Sequence, residues 1–427
     1  MNNAIKSYTL GIVIWGSGAL HSFQEQTVVC SYLFLRRYPF ALFLRILLYY
    51  ICMALLQQSR RAYRQAGLHL VVDIGTALIS GMIWREHMGA FAKNKKPDIL
   101  EVVRVPLAGK VRHSFIPALR VFFQKTEKAL GGRDPATITI GLAAPYYQGK
   151  TVWVETSFAK PTPVSAAMIA KLCEEKIIAE RQTCSEGEEP FNHNVLAVFL
   201  NGYHAGHNLE GRLATHLEIA IRFSAWRSAL KKQLHDLLEE RFPLASIRVN
   251  TFPNAYGELF RQMPHFTREA AVIDIGGSIT ECSFFNEGVL EEVFTIPRGA
   301  DFWLSQIAEH EHMSRDEVIS WISGGSKRFD QLLTPHLVEW NTLLRPVVAA
   351  KMLTQPARHF FLVGGGALLP QTSASFSSFL QTFQFGGHAD AHALSVETFR
   401  DCFGAWPSSL LSFLDVSLIA LALRLQK

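Results

Sequence analysis

With 427 residues, 48% of them hydrophobic and 19% charged, the chain has the composition of a globular protein of two to four structural units. Its six cysteines (Cys30, Cys52, Cys173, Cys184, Cys282, Cys402) are far apart and form no CxxC pair, which argues against a zinc ribbon or a disulfide framework and for a reducing, cytoplasmic setting. The net charge of +5 is concentrated at the start: residues 1–67 hold seven basic side chains against one acid, Glu25, so the remainder is near neutral and lacks the basic stripe that nucleic-acid binding needs.

The first segment is apolar as well as basic. "FALFLRILLYYICMALL" (40–56) carries one charge, Arg45, and has arginines on both flanks. A spanning helix takes about 20 apolar residues, and a charge at its centre is costly unless it snorkels. Four readings stand: a membrane-attached helix within residues 30–62, lying in the interface or just spanning; a helix packed on the core; a translation start at Met53; or a signal peptide built on "TLGIVIWGSGAL".

After Gly67 strands and helices alternate. "LHLVVDIGTALISGMIW" (68–84) predicts strand, tight turn, strand. "SFIPALRVFFQKTEKALGG" (114–132) predicts a helix with a Gly-Gly stop. "ATITIGLAAPYYQGKTVWVETSF" predicts two strands joined by a turn. The next helix, "TPVSAAMIAKLCEEKIIAERQ", opens on Thr162 as cap and Pro163 as first-turn residue. An acidic solvated loop (185–190) leads to "NVLAVFLNGYHAG" as strand and turn, "RLATHLEIAIRFSA" as strand, "WRSALKKQLHDLLEERF" as amphipathic helix and "ASIRVNTFP" as short strand. "AAVIDIGGSITECSFF" (270–285) is a second strand–turn–strand. Helices are predicted at 301–312, from Ser314, and over "DQLLTPHLVEWNTLLRPVVAAKML", with Pro335 at a first turn or kink. Strand and loop "HFFLVGGGALLP" (359–370) and the apolar helix "LLSFLDVSLIALALRLQ" close the chain. No repeat of solenoid period is present.

Three glycine-centred loops follow predicted strands: "DIGT" (73–76), "DIGGSIT" (274–280) and "VGGGALLP" (363–370). Glycines let backbone N–H groups approach a phosphate without a Cβ in the way, and a row of such groups forms an anion-binding nest. The hydroxyls of Thr76 and Ser278 add donors. An aspartate opening such a loop repels phosphate unless a cation lies between, so Asp73 and Asp274 are candidate outer ligands of Mg²⁺, reached through water. One Asp-Ile-Gly turn is a weak signal; two on like hairpins followed by a strand–Gly-Gly-Gly loop are a strong one.

The order and spacing of these loops resemble the actin-like ATPase superfamily. The stretches "FLNGY…LEG" and "VIDIGGSITECSFFNEGVLEEVFTIPRGADFW", with Gly288, Pro297 and Gly299, are similar to the bacterial cell-division protein FtsA and, behind it, the pilus protein PilM, whose early inserted subdomain the segments after Thr137 follow in order. The resemblance covers roughly residues 68–425. It implies an α/β, two-lobed actin-like ATPase fold (a duplicated ribonuclease H-like unit) with a small inserted α+β domain: 1–66 as N-terminal extension, 67–133 as the first part of lobe I, 134–240 as inserted subdomain, and 241–427 as the rest of lobe I with lobe II. It also implies ATP and Mg²⁺ in the interlobe cleft, with phosphate at Asp73, Gly75, Thr76, Asp274, Gly276, Gly277, Ser278 and Thr280, and adenosine at Gly364, Gly365 and Gly366.

The sequence departs from the family in three places. The second loop has Ser278 and Ile279 where D-I-G-G-G-T is usual. Ala77, Leu78 and Ile79 follow the first loop, where a basic residue is common. "SRDEVISWISGG" offers Asp316 and Glu317 near the adenosine but no lysine. ATP binding with slow or absent hydrolysis is the expectation, and no catalytic residue is assigned. The family implies a cytoplasmic scaffold at the inner face of the cell membrane that polymerises and tethers the division ring by the FtsZ C-terminal peptide. FtsA-like chains hold their membrane helix at the C-terminus; here the basic N-terminal segment is expected to serve. The alternatives are a PilM-like platform for type IV pilus or secretion assembly, and a degenerate actin-fold kinase or chaperone.

Other residues have simpler readings. His204, His207, His310 and His312 are expected as solvated side chains. So are His388, Asp390 and His392 in "GGHADAHALS", whose alternate spacing otherwise suits a metal. Trp153, Trp226 and Trp303 are expected in the core.

Overall fold

The computed structural model describes residues 67–86, 96–107, 111–206, 209–262, 269–354, 357–383, 389–394, 396–397, 399 and 415–423. All lie in the unit Gln65–Lys427. The apolar stretch at 30–62 is outside them. Among the described residues no helix is long and apolar enough to cross a membrane.

Two sheets are built on one plan. In lobe I, β1 (Leu68–Ile74), β2 (Leu78–Arg85), β3 (Asp98–Pro106), β4 (Thr137–Leu142) and β9 (Ser246–Thr251) lie in the order β3-β2-β1-β4-β9. In lobe II, β10 (Glu269–Ile275), β11 (Thr280–Asn286), β12 (Val289–Ile296), β13 (His359–Val363) and β14 (Asp390–Ala393) lie in the order β12-β11-β10-β13-β14. In each, the first strand is antiparallel to the second and parallel to the fourth. The third is antiparallel to the second, and the fifth parallel to the fourth. This is the duplication that the fold expectation requires. Both central strands are nearly continuous apolar runs, LHLVVDI and EAAVIDI, because elements cover both faces of each sheet.

On one face of lobe I, helix α1 (Val111–Leu130) packs Leu119, Phe122 and Phe123. It stops where Gly131 and Gly132 adopt φ of +61° and +72°, as the Gly-Gly signal predicts. Between β4 and β9 the chain forms β5 (Tyr147–Pro163), α2 (Ala166–Arg181), β6 (Glu188–Leu200), β7 (Tyr203–His204) and β8 (Leu213–Arg227). These give a third sheet, β5-β8-β6-β7. Ile169, Cys173 and Ile177 of α2 cover it, against Leu217, Ile219 and Ile221.

Three expectations change here. The α2 cap is Ser165, whose Oγ accepts from the Met168 N–H, while Thr162 and Pro163 still pair with β8. The strand β4 and the helix α3 (Ser228–Arg241), expected inside the inserted segment at 134–240, belong with lobe I: β4 is in its sheet and Leu234, Leu237 and Leu238 are in its core. Trp226 and Trp303 are buried, but Trp153 is 37% exposed on β5.

Lobe II carries α5 (Ala300–Glu311), α6 (Arg315–Ser323), α7 (Lys327–Thr354) and α8 (Thr372–Leu380), with Trp303, Trp340 and Phe376 in their core. Pro335 lies inside α7, beyond its first turn, as does Pro346. Two further helices, α4 (Phe252–Gln262) and α9 (Val416–Leu423), share one core with both sheets. Tyr256, Leu259, Ile419 and Leu421 pack with Val71 and Met82 of lobe I and with Val272 and Phe361 of lobe II. No helix was anticipated at α4.

Candidate functional site

The two acid-led hairpins turn in the same way. The Gly75 N–H donates to the Leu78 carbonyl at 3.1 Å, and the Gly276 N–H to the Ile279 carbonyl at 3.0 Å. Each turn directs its aspartate into one cavity of about 400 Å³ between the lobes. That size lies within the usual range for ligand sites. Asp73, Gly75 and Thr76 line it from lobe I, and Asp274, Gly276, Gly277, Gly364 and Gly365 from lobe II.

Each aspartate is held by a hydroxyl from one of the two helices that the lobes share. The Tyr256 Oη of α4 donates to Asp274 Oδ2 at 3.0 Å, and the Ser417 Oγ of α9 donates to Asp73 Oδ2. Burial pushes Asp73 up to about 8 from 3.8, with Asp274 and Asp415 adding to the shift, and pushes Asp274 up to about 6. Two half-buried carboxylates fixed on a cleft floor, each destabilised as an anion, are a donor set that suits a hard divalent cation, which would reverse both shifts.

Strand register adds side chains that the loops alone do not reveal. Ser80 sits opposite Asp73, and Glu281 opposite Asp274, and both line the cavity. Glu281 is also pushed up to about 8 by burial. The Tyr147 Oη donates to it at 2.6 Å, and Arg222 of β8, 1% exposed, lies beside the two. The root of the inserted sheet is thus joined to the cleft through Tyr147 and Arg222.

Most predicted loop residues converge, but not all reach the cavity. The Thr76 Oγ1 accepts from the Ser278 N–H at 2.9 Å, so Ser278 closes one loop onto the other. Gly277 is packed so closely that a Cβ there would lie 2.4 Å from the Ala77 Cβ. Gly364, at φ +83°, brings the third loop onto the second: a Cβ would lie 2.4 Å from Asp274 Oδ1. A Cβ on Gly366 would meet the Ile275 Cγ2 at 2.1 Å, which makes that glycine a packing residue.

Thr280 is a correction. As the first residue of β11 it faces α7, fully buried, donating to the Arg298 carbonyl at 2.8 Å and accepting from Trp340 Nε1 at 3.0 Å. Asp316 and Glu317 do not line the cavity; Glu317 closes a capping box with Ser314. The basic group near that end is Arg315, which lines the cavity and pairs with Asp301. In the sequence it stands in "SRDEV", directly before Asp316, and supplies the positive charge that a lysine would otherwise bring.

A solution experiment follows from the two raised acids. A folded-state pKa above the unfolded one means that the folded protein holds the extra proton between the two values. The contribution of each acid to stability is therefore full below about pH 4 and is lost as pH rises, through about 6 for Asp274 and about 8 for Asp73. A cation binds the deprotonated pair, so stabilisation by Mg²⁺ should be greater at pH 8.5 than at pH 5, as read from melting curves with and without the ion.

No protein-family model matches the sequence. No curated protein sequence matches it either. Solved structures do match. A PilM–PilN type IV pilus biogenesis complex is 14% identical, with a TM-score of 0.60, over 84% of this chain and 98% of that one. The chain has the actin-like ATPase fold. The ethanolamine utilization protein EutJ of Carboxydothermus hydrogenoformans (12% identical, TM-score 0.45, 84% and 93% covered) and a ROK family glucokinase of Streptomyces griseus (13%, 0.41, 83% and 98%) also match. In an actin-like fold the paired sheets are the two lobes and the cavity is the interlobe cleft.

Proposed function

We propose that the protein binds ATP with Mg²⁺ in this cleft and works as a nucleotide-latched assembly scaffold at the inner face of the cell membrane. The observation that carries the reading is the convergence of Asp73 and Asp274, on equivalent hairpins, upon one cavity. Asp73 and Asp274 would hold the metal through water. The backbones of Gly75, Thr76, Gly276 and Gly277 would face phosphate, and Gly364 and Gly365 would admit the adenosine beside Arg315 and Ile319. A bound Mg²⁺ would supply charge neutralisation. The side chains of this cleft would position it between the two acids. Hydrolysis is slow or absent on this reading, because the second loop carries Ser278 and Ile279 where D-I-G-G-G-T is usual and no side chain of the cleft is assigned as a catalytic base.

The leading assembly is an FtsA-like one, in which the chain polymerises and tethers FtsZ by its C-terminal peptide, with residues 30–62 on the membrane. The second reading is a PilM-like platform for pilus or secretion assembly. The PilM match, spanning 98% of that chain, favours it as a specific alternative.

Equilibrium titration of the whole protein with ATP, with and without Mg²⁺, tests the shared part. Saturable Mg²⁺-dependent binding is expected, and its absence would sink both readings. Titration with an FtsZ C-terminal peptide and with a peptide of a PilN-type protein then separates them. For the membrane arm, unchanged partitioning after deletion of residues 1–58 rules out the N-terminal anchor.

A further inference from the structure

The outer edge of the lobe II sheet carries a side-chain cluster that the cleft does not use. β14 pairs with β13 in parallel, with His359 opposite Asp390 and Phe361 opposite His392. Side chains two apart share a face of a strand, so His359 and Phe361 project from one side of β13, and Asp390 and His392 from one side of β14. One ligand atom from each of His359, Asp390 and His392 lies within 4.8 Å of the others. The His392 ring stacks on Phe361 at 5.7 Å and 26°, and the His359 and His392 rings are 5.8 Å apart. Phe361 is buried, His359 half-buried, and Asp390 and His392 exposed. The cluster thus has an apolar floor, which orients one imidazole, and an open side facing water.

We propose that His359, Asp390 and His392 bind a borderline divalent cation, Zn²⁺ or an ion of like chemistry, with water completing its coordination. Two imidazole nitrogens and a carboxylate suit that class of ion, while a hard ion such as Mg²⁺ prefers oxygen throughout. His359 opens β13 and Gly364 follows its other end, so this site is separate from the cleft. Its structural effect is a clamp. Among the described residues β14 stands last in its sheet, beside β13 alone, and the ion would tie the two strands by their side chains.

Zn²⁺ titration of the full-length protein by calorimetry, in excess Mg²⁺ to occupy the oxygen ligands of the cleft, tests the site. The expected result is one tight, saturable equivalent, with a Zn²⁺-dependent rise in melting temperature. Both should vanish in the His359→Ala/His392→Ala double variant, and Asp390→Asn should bind more weakly than wild type. Asp390 and His392 are exposed, so His392→Ala and Asp390→Asn alone preserve the test if the double variant misfolds by circular dichroism. Equal isotherms for wild type and variants would show only adventitious binding to others of the sixteen histidines and would overturn the proposal. So would a wild type with no tight equivalent.

Discussion

Asp274→Ala is expected to weaken Mg²⁺-ATP binding by about 10–100-fold, the usual cost of losing an outer-shell metal partner, without unfolding the protein. The two effects separate because the wild-type carboxylate is already strained as an anion, with its pKa raised to about 6 by burial. Removing it relieves that penalty. In exchange the Tyr256 hydroxyl loses its acceptor, at a cost of about 1–3 kcal/mol if no water replaces it. Melting curves near neutral pH should therefore move little, while the affinity measured by titration falls. Wild-type affinity in this variant would falsify the assignment of the second loop.

Trp340→Ala is the substitution with the largest expected effect on stability, about 3–5 kcal/mol. The indole is fully buried and packs edge-on against Trp303 at 5.8 Å, with Phe376 at 5.7 Å on another side. It also donates to the Thr280 hydroxyl, which in turn holds the Arg298 carbonyl. The cavity left by alanine thus opens directly behind the start of β11, where the second glycine loop ends. Denaturant unfolding should show the loss. Nucleotide affinity should fall with it, although Trp340 does not touch the cleft. Trp340→Phe keeps most of the apolar volume and loses only the N–H donor, so it should cost clearly less. Equal losses for the two variants would mean that ring packing is not what supports the loop.

The acid-led hairpins were legible because their signals are local. An apolar run, an aspartate, a glycine turn and a second apolar run lie within seventeen residues in each case. The duplication of the sheets was legible only by resemblance, since LHLVVDI and EAAVIDI are similar over a few positions and the pairing that makes them equivalent is long-range. The residues that hold the two aspartates were not legible at all. Tyr256 stands in "FPNAYGELF", where Pro253 and Gly257 weaken the helical signal. The structure gives a reason for that glycine: a Cβ on it would lie 2.9 Å from the Phe285 ring, so α4 needs it to approach β11. Ser417 lies 344 positions from its partner. Thr280 departs from its expected place for the opposite reason. Its type and spacing suit a phosphate ligand, but side chains alternate along a strand, and position 280 falls on the side that faces α7.

The placement of α9 bears on how the protein is made. This helix follows every other described element in the chain, yet it packs between α4 and the lobe I strands, and Asp415 at its start pairs with Arg104 of β3. Lobe I is therefore left with an open seam while the ribosome is still translating lobe II. During that interval the apolar surfaces of β1, β4 and α4 have no native cover, and chaperones are the natural guardians of such surfaces.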